Sequence, residues 1–201
     1  TLDCNDAIID GDSNQAYGIY MNGRNSVTIQ NCNIRNYALS NLGIEESNNN
    51  TIVNNILSDS LWNMGLRLDR SSNNHLAGNS MINNKLGGLS IDGVSNAHYD
   101  NIIDTTNTVN GKPIHYYYEQ QDKIIENLDS GHLEVAYSDD IVIRNNTIAN
   151  GDGIKLYETD NSVIRENNIV GNGDSGIVLF FSNNNKISKN KIIDNPFFGF
   201  L

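Results

Sequence analysis

A unit reading roughly Gly-Ile-x-Leu-x-x-x-x-Asn-x-x-Ile-x-x-Asn-x-Ile recurs along this 201-residue chain at intervals of about 22 residues. A fixed period of this size restricts the fold to stacked, near-identical supersecondary units. The copies opening at Gly65, Gly153 and Gly176 show the pattern most clearly. Each reads as a short strand with period-2 alternation, a polar turn such as Ser71-Ser72-Asn73-Asn74, a second short strand and a third short stretch before the next glycine. The connections lack two-residue primed-turn signals at a regular place, which argues against an array of antiparallel hairpins. Coiling the chain so that each strand pairs in parallel with its equivalent one turn later satisfies the backbone and buries columns of Ile and Leu. The pattern therefore predicts an all-β, right-handed parallel β-helix of about eight to nine coils, with residues 1–201 forming one domain.

Composition agrees with that reading. Asparagine supplies 36 of the 201 residues, yet Ile and Leu return on schedule, so the chain is ordered and its Asn is expected at turns that need left-handed geometry. Counting three residues on from the second-strand apolar position gives Cys32, Asn55, Asn79, Asn101, Asn146, Asn167 and Asn190. An inward Asn stacked on its equivalent one coil away forms a hydrogen-bonded ladder, and the six Asn positions are expected to form one that Cys32 interrupts at one end. Cys4 and Cys32 have no metal-type spacing. On neighbouring coils they are either disulfide-bonded or two buried thiols. Residues 104–130 depart from the repeat, with Asn110-Gly111 and Lys112-Pro113 marking a turn before the aromatic run Tyr116-Tyr117-Tyr118.

The net charge of -11 repels a phosphate backbone and excludes nucleic acid as a natural partner. No apolar run approaches the ~20 residues that span a bilayer, so no membrane insertion is expected. Thr1 and Gly199-Phe200-Leu201 both fall inside a repeat. The expectation is an excerpt of a longer β-helix or a subunit stacked end to end through the apolar segment Pro196-Phe197-Phe198-Gly199-Phe200-Leu201.

In a β-helix, outward positions of equivalent strands form columns, so residues distant in sequence converge. The columns between and after the apolar pairs place Arg67, Asp69, Asp92, His115, Tyr117, Glu134, Lys155 and Tyr157 on one face. Rings that stack on pyranose faces beside groups that hydrogen-bond hydroxyls suit a polysaccharide or other glycan, with Tyr117, Glu134, Lys155 and Tyr157 as the binding set. In the enzymatic alternative, a lyase, hydrolase or epimerase, Arg67, Asp69, Asp92 and His115 carry the chemistry, either with paired carboxylates as acid and base or with Asp69 and Asp92 holding Ca²⁺ and Arg67 or Lys155 as base. An ordinary solvated face with cross-strand ion pairs is the third reading. His75, His98, His115 and His132 fall at different points of their coils, which gives no convergent copper set and no other metal site.

The opening Leu2-Asp3-Cys4-Asn5-Asp6-Ala7-Ile8-Ile9-Asp10-Gly11, the repeated Asn-x-x-Ile-x-x-Asn units and the stretch Asn107-Thr108-Val109-Asn110-Gly111-Lys112-Pro113-Ile114 resemble the NosD-type, or CASH-type, right-handed β-helix proteins. That resemblance implies an exported protein, extracellular, at the cell surface or periplasmic. It is compatible with a structural or adhesive scaffold, a carbohydrate-active enzyme or a copper-protein maturation factor. The Asp-Pro-His type motif of uronate epimerases is not found in the chain.

Overall fold

The computed structural model describes residues 1–196, and the expectation for the segment from Phe197 to Leu201 lies outside the described residues. The chain is a parallel β-solenoid of about eight turns, formed as two compact units, Thr1–Gly111 and Lys112–Leu201. Among the described residues, no helix is long and apolar enough to cross a membrane.

In the first unit three short strands per turn build three parallel sheets. One contains Leu2–Asp3, Thr28–Gln30, Thr51–Val53, His75–Ala77 and Ile102–Ile103. A second contains Ile8–Asp10, Asn33–Arg35, Ile56–Ser58, Ser80–Ile82 and Thr108–Val109, and a third Tyr17–Asn22, Ser40–Glu45, Met64–Asp69 and Gly87–Asp92. Register follows the apolar period: Ile29, Ile52 and Leu76 form one buried column, Ile34, Leu57 and Met81 another, and Leu42, Leu66 and Leu89 a third. A one-residue slip would turn a column outward, which is why the register is well specified. Cys4 and Cys32 form a disulfide that ties the first turn to the second, with Cα atoms 4.8 Å apart.

The second unit has one sheet of Ile124–Glu126, Val142–Arg144, Val163–Arg165 and Lys186–Ser188. The other is built from the longer strands Lys112–Tyr118, Asp129–Ala136 and Thr147–Tyr157. Asn168–Val170 and Ile177–Phe180 both pair with the last of these. Leu133, Val135, Ile143, Ile154, Leu156, Ile164 and Ile177 make its fully buried core. Thr147–Tyr157 carries a bulge. Ile148 pairs with Ser130 and Gly153 with His132, so residues 149–152 face a single residue, Gly131. Two glycines make this possible. A Cβ on Gly151 would lie 1.9 Å from the Gly131 carbonyl, and Gly153 has φ +82 with Ser175 O 2.3 Å from its Cβ position.

Asparagine acts in two ways. At Asn31, Asn49, Asn73, Asn145 and Asn161, among others, it takes positive φ at corners between strands, a conformation that Asn tolerates well. Elsewhere it forms several ladders rather than one. Asn79 illustrates the pattern: its Oδ1 accepts from Asn55 N and Nδ2, while its Nδ2 donates to Asn107 Oδ1 and Ile52 O. Asn146, Asn167 and Asn190 form the equivalent ladder in the second unit. Asn101 departs from expectation, because it belongs to a separate ladder with Asn50 and Asn74, and the rung after Asn79 is Asn107. The cause is local. Ile103 pairs with Leu76, and the chain takes one extra residue through the Asp104–Asn107 turn before reaching the rung. A 3₁₀ turn, Asn96–Tyr99, precedes it. Asn110 and Gly111 do form a turn with positive φ at both residues, whereas Lys112–Tyr118 beyond it is a regular strand.

Candidate functional site

In the first unit, pairing places Glu45, Asp69 and Asp92 side by side on successive strands, a like-charge column that would repel itself if left bare. Two arginines neutralise it. Arg67 contacts Asp69 at 3.1 Å and Asp92 at 3.0 Å, and Arg70 contacts Glu45 at 2.6 Å, Glu46 at 3.1 Å and Asp69 at 3.2 Å. The Tyr20 hydroxyl donates to Glu45 and, with Arg70, holds that carboxyl below its ordinary range against the opposing effect of burial. Arg67, Asp69 and Asp92 are thus brought together, but as mutually satisfied ion pairs. Their charges are paired with one another, with the Asp92 side chain half-exposed. Among the described residues no group of three or more His, Cys, Asp or Glu side chains could hold a metal ion.

His115 lies in the second unit. Alignment by apolar pairs matches Ile114 and Tyr116 with Leu133 and Val135. The strands instead pair His115 with Leu133 and Tyr117 with Val135, which inverts the phase of the whole strand. His115 Nδ1 is 3.0 Å from Ser130 Oγ, and Tyr117 packs against the hydrophobic core with Lys123 Nζ 5.0 Å from its ring centroid. Burial raises the Tyr117 pKa. Tyr117 is thus a half-buried ring flanking the core.

Glu134 is also displaced from its expected role, because it is 3% exposed and forms part of a buried charge cluster. His132, on the same strand, is fully buried. Its Nδ1 is 2.8 Å from Asp152 Oδ2, itself fully buried, and its Nε2 lies 3.3 Å from Glu134 Oε2 in an ion-pair contact outside good hydrogen-bond geometry. Burial opposes the imidazolium charge, but the Asp152 hydrogen bond and the Glu134 carboxylate outweigh it and raise the His132 pKa. Burial, reinforced by the His132 charge, lowers that of His115. The cluster has the residue types of an acid-base site and none of the access: its central imidazole has 0% exposure. Asp152 escapes sequence reading because it lies in the bulge, from which its side chain reaches His132.

The exposed chemistry of the second unit lies at the ends of the long strands. Ala136, Tyr157 and Phe180 pair in one column, in which Ala136 is buried, Tyr157 half-buried and Phe180 exposed. The next residues, Glu119, Tyr137, Glu158 and Phe181, all have positive φ and form a second column through the bonds Glu119 N to Ala136 O, Tyr137 N to Tyr157 O and Glu158 N to Phe180 O. Left-handed corners swing these side chains out of the strand pleat, and aromatic residues occupy such positions only at a conformational cost. Tyr157 is the centre of the group, with ring centroids 6.2 Å from Tyr137, 5.8 Å from Phe180 and 5.8 Å from Phe181. Phe180 is 44% exposed and Phe181 69%. Lys155, two residues before Tyr157, is half-buried opposite Glu134. Tyr157 belongs to the outward column expected from the sequence, and Phe180 is its partner one turn later. Tyr137 and Phe181 follow that column by one residue, and a test for aromatics at the corner position would have found them.

The family described as "Right handed beta helix region" matches residues 9–127 and 116–201. No curated protein sequence matches the chain. Among solved structures, a mutant of the periplasmic alginate epimerase AlgG aligns with a TM-score of 0.48 and 13% sequence identity, covering 88% of this chain and 48% of that one. The chain thus spans about half the length of that structure.

Proposed function

The chain belongs to the right-handed β-helix family, and on that scaffold we propose an exported, polysaccharide-binding protein whose contact surface is the strand-end aromatic group of the second unit. The observation that carries this reading is the exposure of Phe180 and Phe181 around Tyr157. Large rings left in water on a regular sheet gain free energy when a partner covers them, and the C–H faces of pyranose rings are suitable partners. Export is supported by the Cys4–Cys32 disulfide, which persists in oxidising compartments. Within the family, the Asn107–Ile114 stretch supports placement with the NosD-type, or CASH-type, proteins.

Binding without turnover fits the disposition of the ionisable groups. Arg67, Asp69 and Asp92 are paired with one another or with Arg70, and His132 is sealed from solvent. The test is retention on insoluble polysaccharides. The wild-type protein is expected to be retained, and Phe181→Ala and Tyr157→Ala are each expected to weaken retention about tenfold. Phe181 is exposed enough that its loss leaves folding intact. Unchanged retention in both variants would contradict the assignment of the surface.

A further inference from the structure

The corner column alternates in character: Glu119, Tyr137, Glu158 and Phe181 succeed one another one turn apart. Both glutamates are exposed; Glu158 lies between Tyr137 and Phe181 in the column, and Glu119 stands at its end beside Tyr137. Glu158 is close enough to Tyr137 that, after burial, its charge is the next cause of the raised Tyr137 pKa. The unit as a whole has thirteen acidic and eight basic residues. Lys155, two residues before Tyr157, is half-buried opposite Glu134.

We propose that this column selects uncharged glycans and disfavours uronate polymers. The inference rests on the polysaccharide-binding reading and adds the class of sugar. Rings Tyr137, Tyr157, Phe180 and Phe181 provide stacking surfaces, and the carboxylates of Glu119 and Glu158 accept hydrogen bonds from sugar hydroxyls. A hydroxyl donates to a carboxylate in a charge-assisted bond. A uronate carboxylate cannot donate and meets like charge instead, at separations inside a Debye length of about 8 Å at physiological ionic strength. A glycan running across the strands meets an acid or a ring at every turn, so the discrimination acts on successive sugars.

Calorimetric titration of the whole chain with cellohexaose, mannohexaose and hexagalacturonate tests this. The wild-type protein is expected to bind a neutral hexasaccharide at least about tenfold more tightly than hexagalacturonate, the scale set by two opposed exposed charges. The exposed-site double variant Glu119→Gln/Glu158→Gln is expected to reduce that ratio, chiefly by strengthening hexagalacturonate binding. Preference of the wild-type protein for hexagalacturonate, with Tyr157→Ala weakening it, would overturn the charge selectivity while leaving polysaccharide binding in place. A ratio unchanged in the double variant would overturn the role of the two glutamates. Absence of binding to all three sugars and to insoluble polysaccharides would sink the binding reading and this inference with it.

Discussion

Replacing His132 with Leu is expected to destabilise the second unit by about 3–5 kcal/mol, the cost typical of removing one partner from a buried ion pair. The substitution leaves Asp152 and Glu134, 0% and 3% exposed, without the cation between them. Denaturant unfolding followed by tyrosine fluorescence measures the loss. Adding Asp152→Asn to His132→Leu is expected to recover part of it, because one of the stranded charges is removed. A variant that is fully stable at neutral pH would show that the imidazolium is not paired as described.

The same cluster sets a pH dependence. The folded-state pKa of His132 is raised, so its contribution is present below the ordinary histidine value and is lost as pH rises through the raised one. His115 has a lowered pKa, and its contribution is present above the ordinary value and lost as pH falls through the lowered one. The groups facing His132 are Asp152 on the neighbouring strand, Glu134 on its own, and His115 on the strand before, with Lys155 across from Glu134. Second-unit stability is therefore expected to pass through a maximum between the two histidine transitions. In His132→Leu the alkaline limb disappears.

An Asn79→Leu substitution is expected to cost about 4 kcal/mol or more, despite the same side-chain branching and a fully buried site in an apolar interior. It removes the acceptor for Asn55 N and Nδ2 and the donor to Ile52 O and Asn107 Oδ1. Each buried group left unsatisfied costs about 1–3 kcal/mol. At the exposed corner Asn83, with φ 52, Asn83→Gly is expected to change stability by less than about 0.5 kcal/mol. A comparable urea midpoint for Asn79→Leu and Asn83→Gly would remove the distinction between ladder and corner asparagines.

Most of the architecture could be read from Ile and Leu at fixed intervals, because parallel strands stack like residues on like and a one-residue slip is costly. Reading failed where an inserted residue or an inverted phase left the composition unchanged. Asn101 and Asn107 both look like rungs, and only the turn through Asp104 assigns Asn107 to the rung after Asn79. The run Tyr116-Tyr117-Tyr118 has no apolar-polar alternation, so nothing in it reveals that Tyr117 faces the core. Among the candidate site residues, Tyr157 lies in the exposed aromatic group, with Lys155 half-buried nearby. Arg67, Asp69 and Asp92 form ion pairs, and Glu134 is sealed beneath the surface. Tyr137 and Phe181 lie one residue past the strand, where the left-handed corner rather than the pleat determines direction.

The aromatic corner of the second unit is proposed to bind glycan, with no chemistry performed on it by the charged groups elsewhere. Solution NMR of the protein with labelled Tyr and Phe rings and labelled Arg side chains, titrated with cellohexaose and mannohexaose, tests both halves in one sample. The account predicts shifts at Tyr137, Tyr157, Phe180 and Phe181, an unchanged Arg67 signal and oligosaccharide of constant length and configuration. Shifts centred on Arg67, or new reducing ends or altered sugar resonances appearing with time, would contradict it.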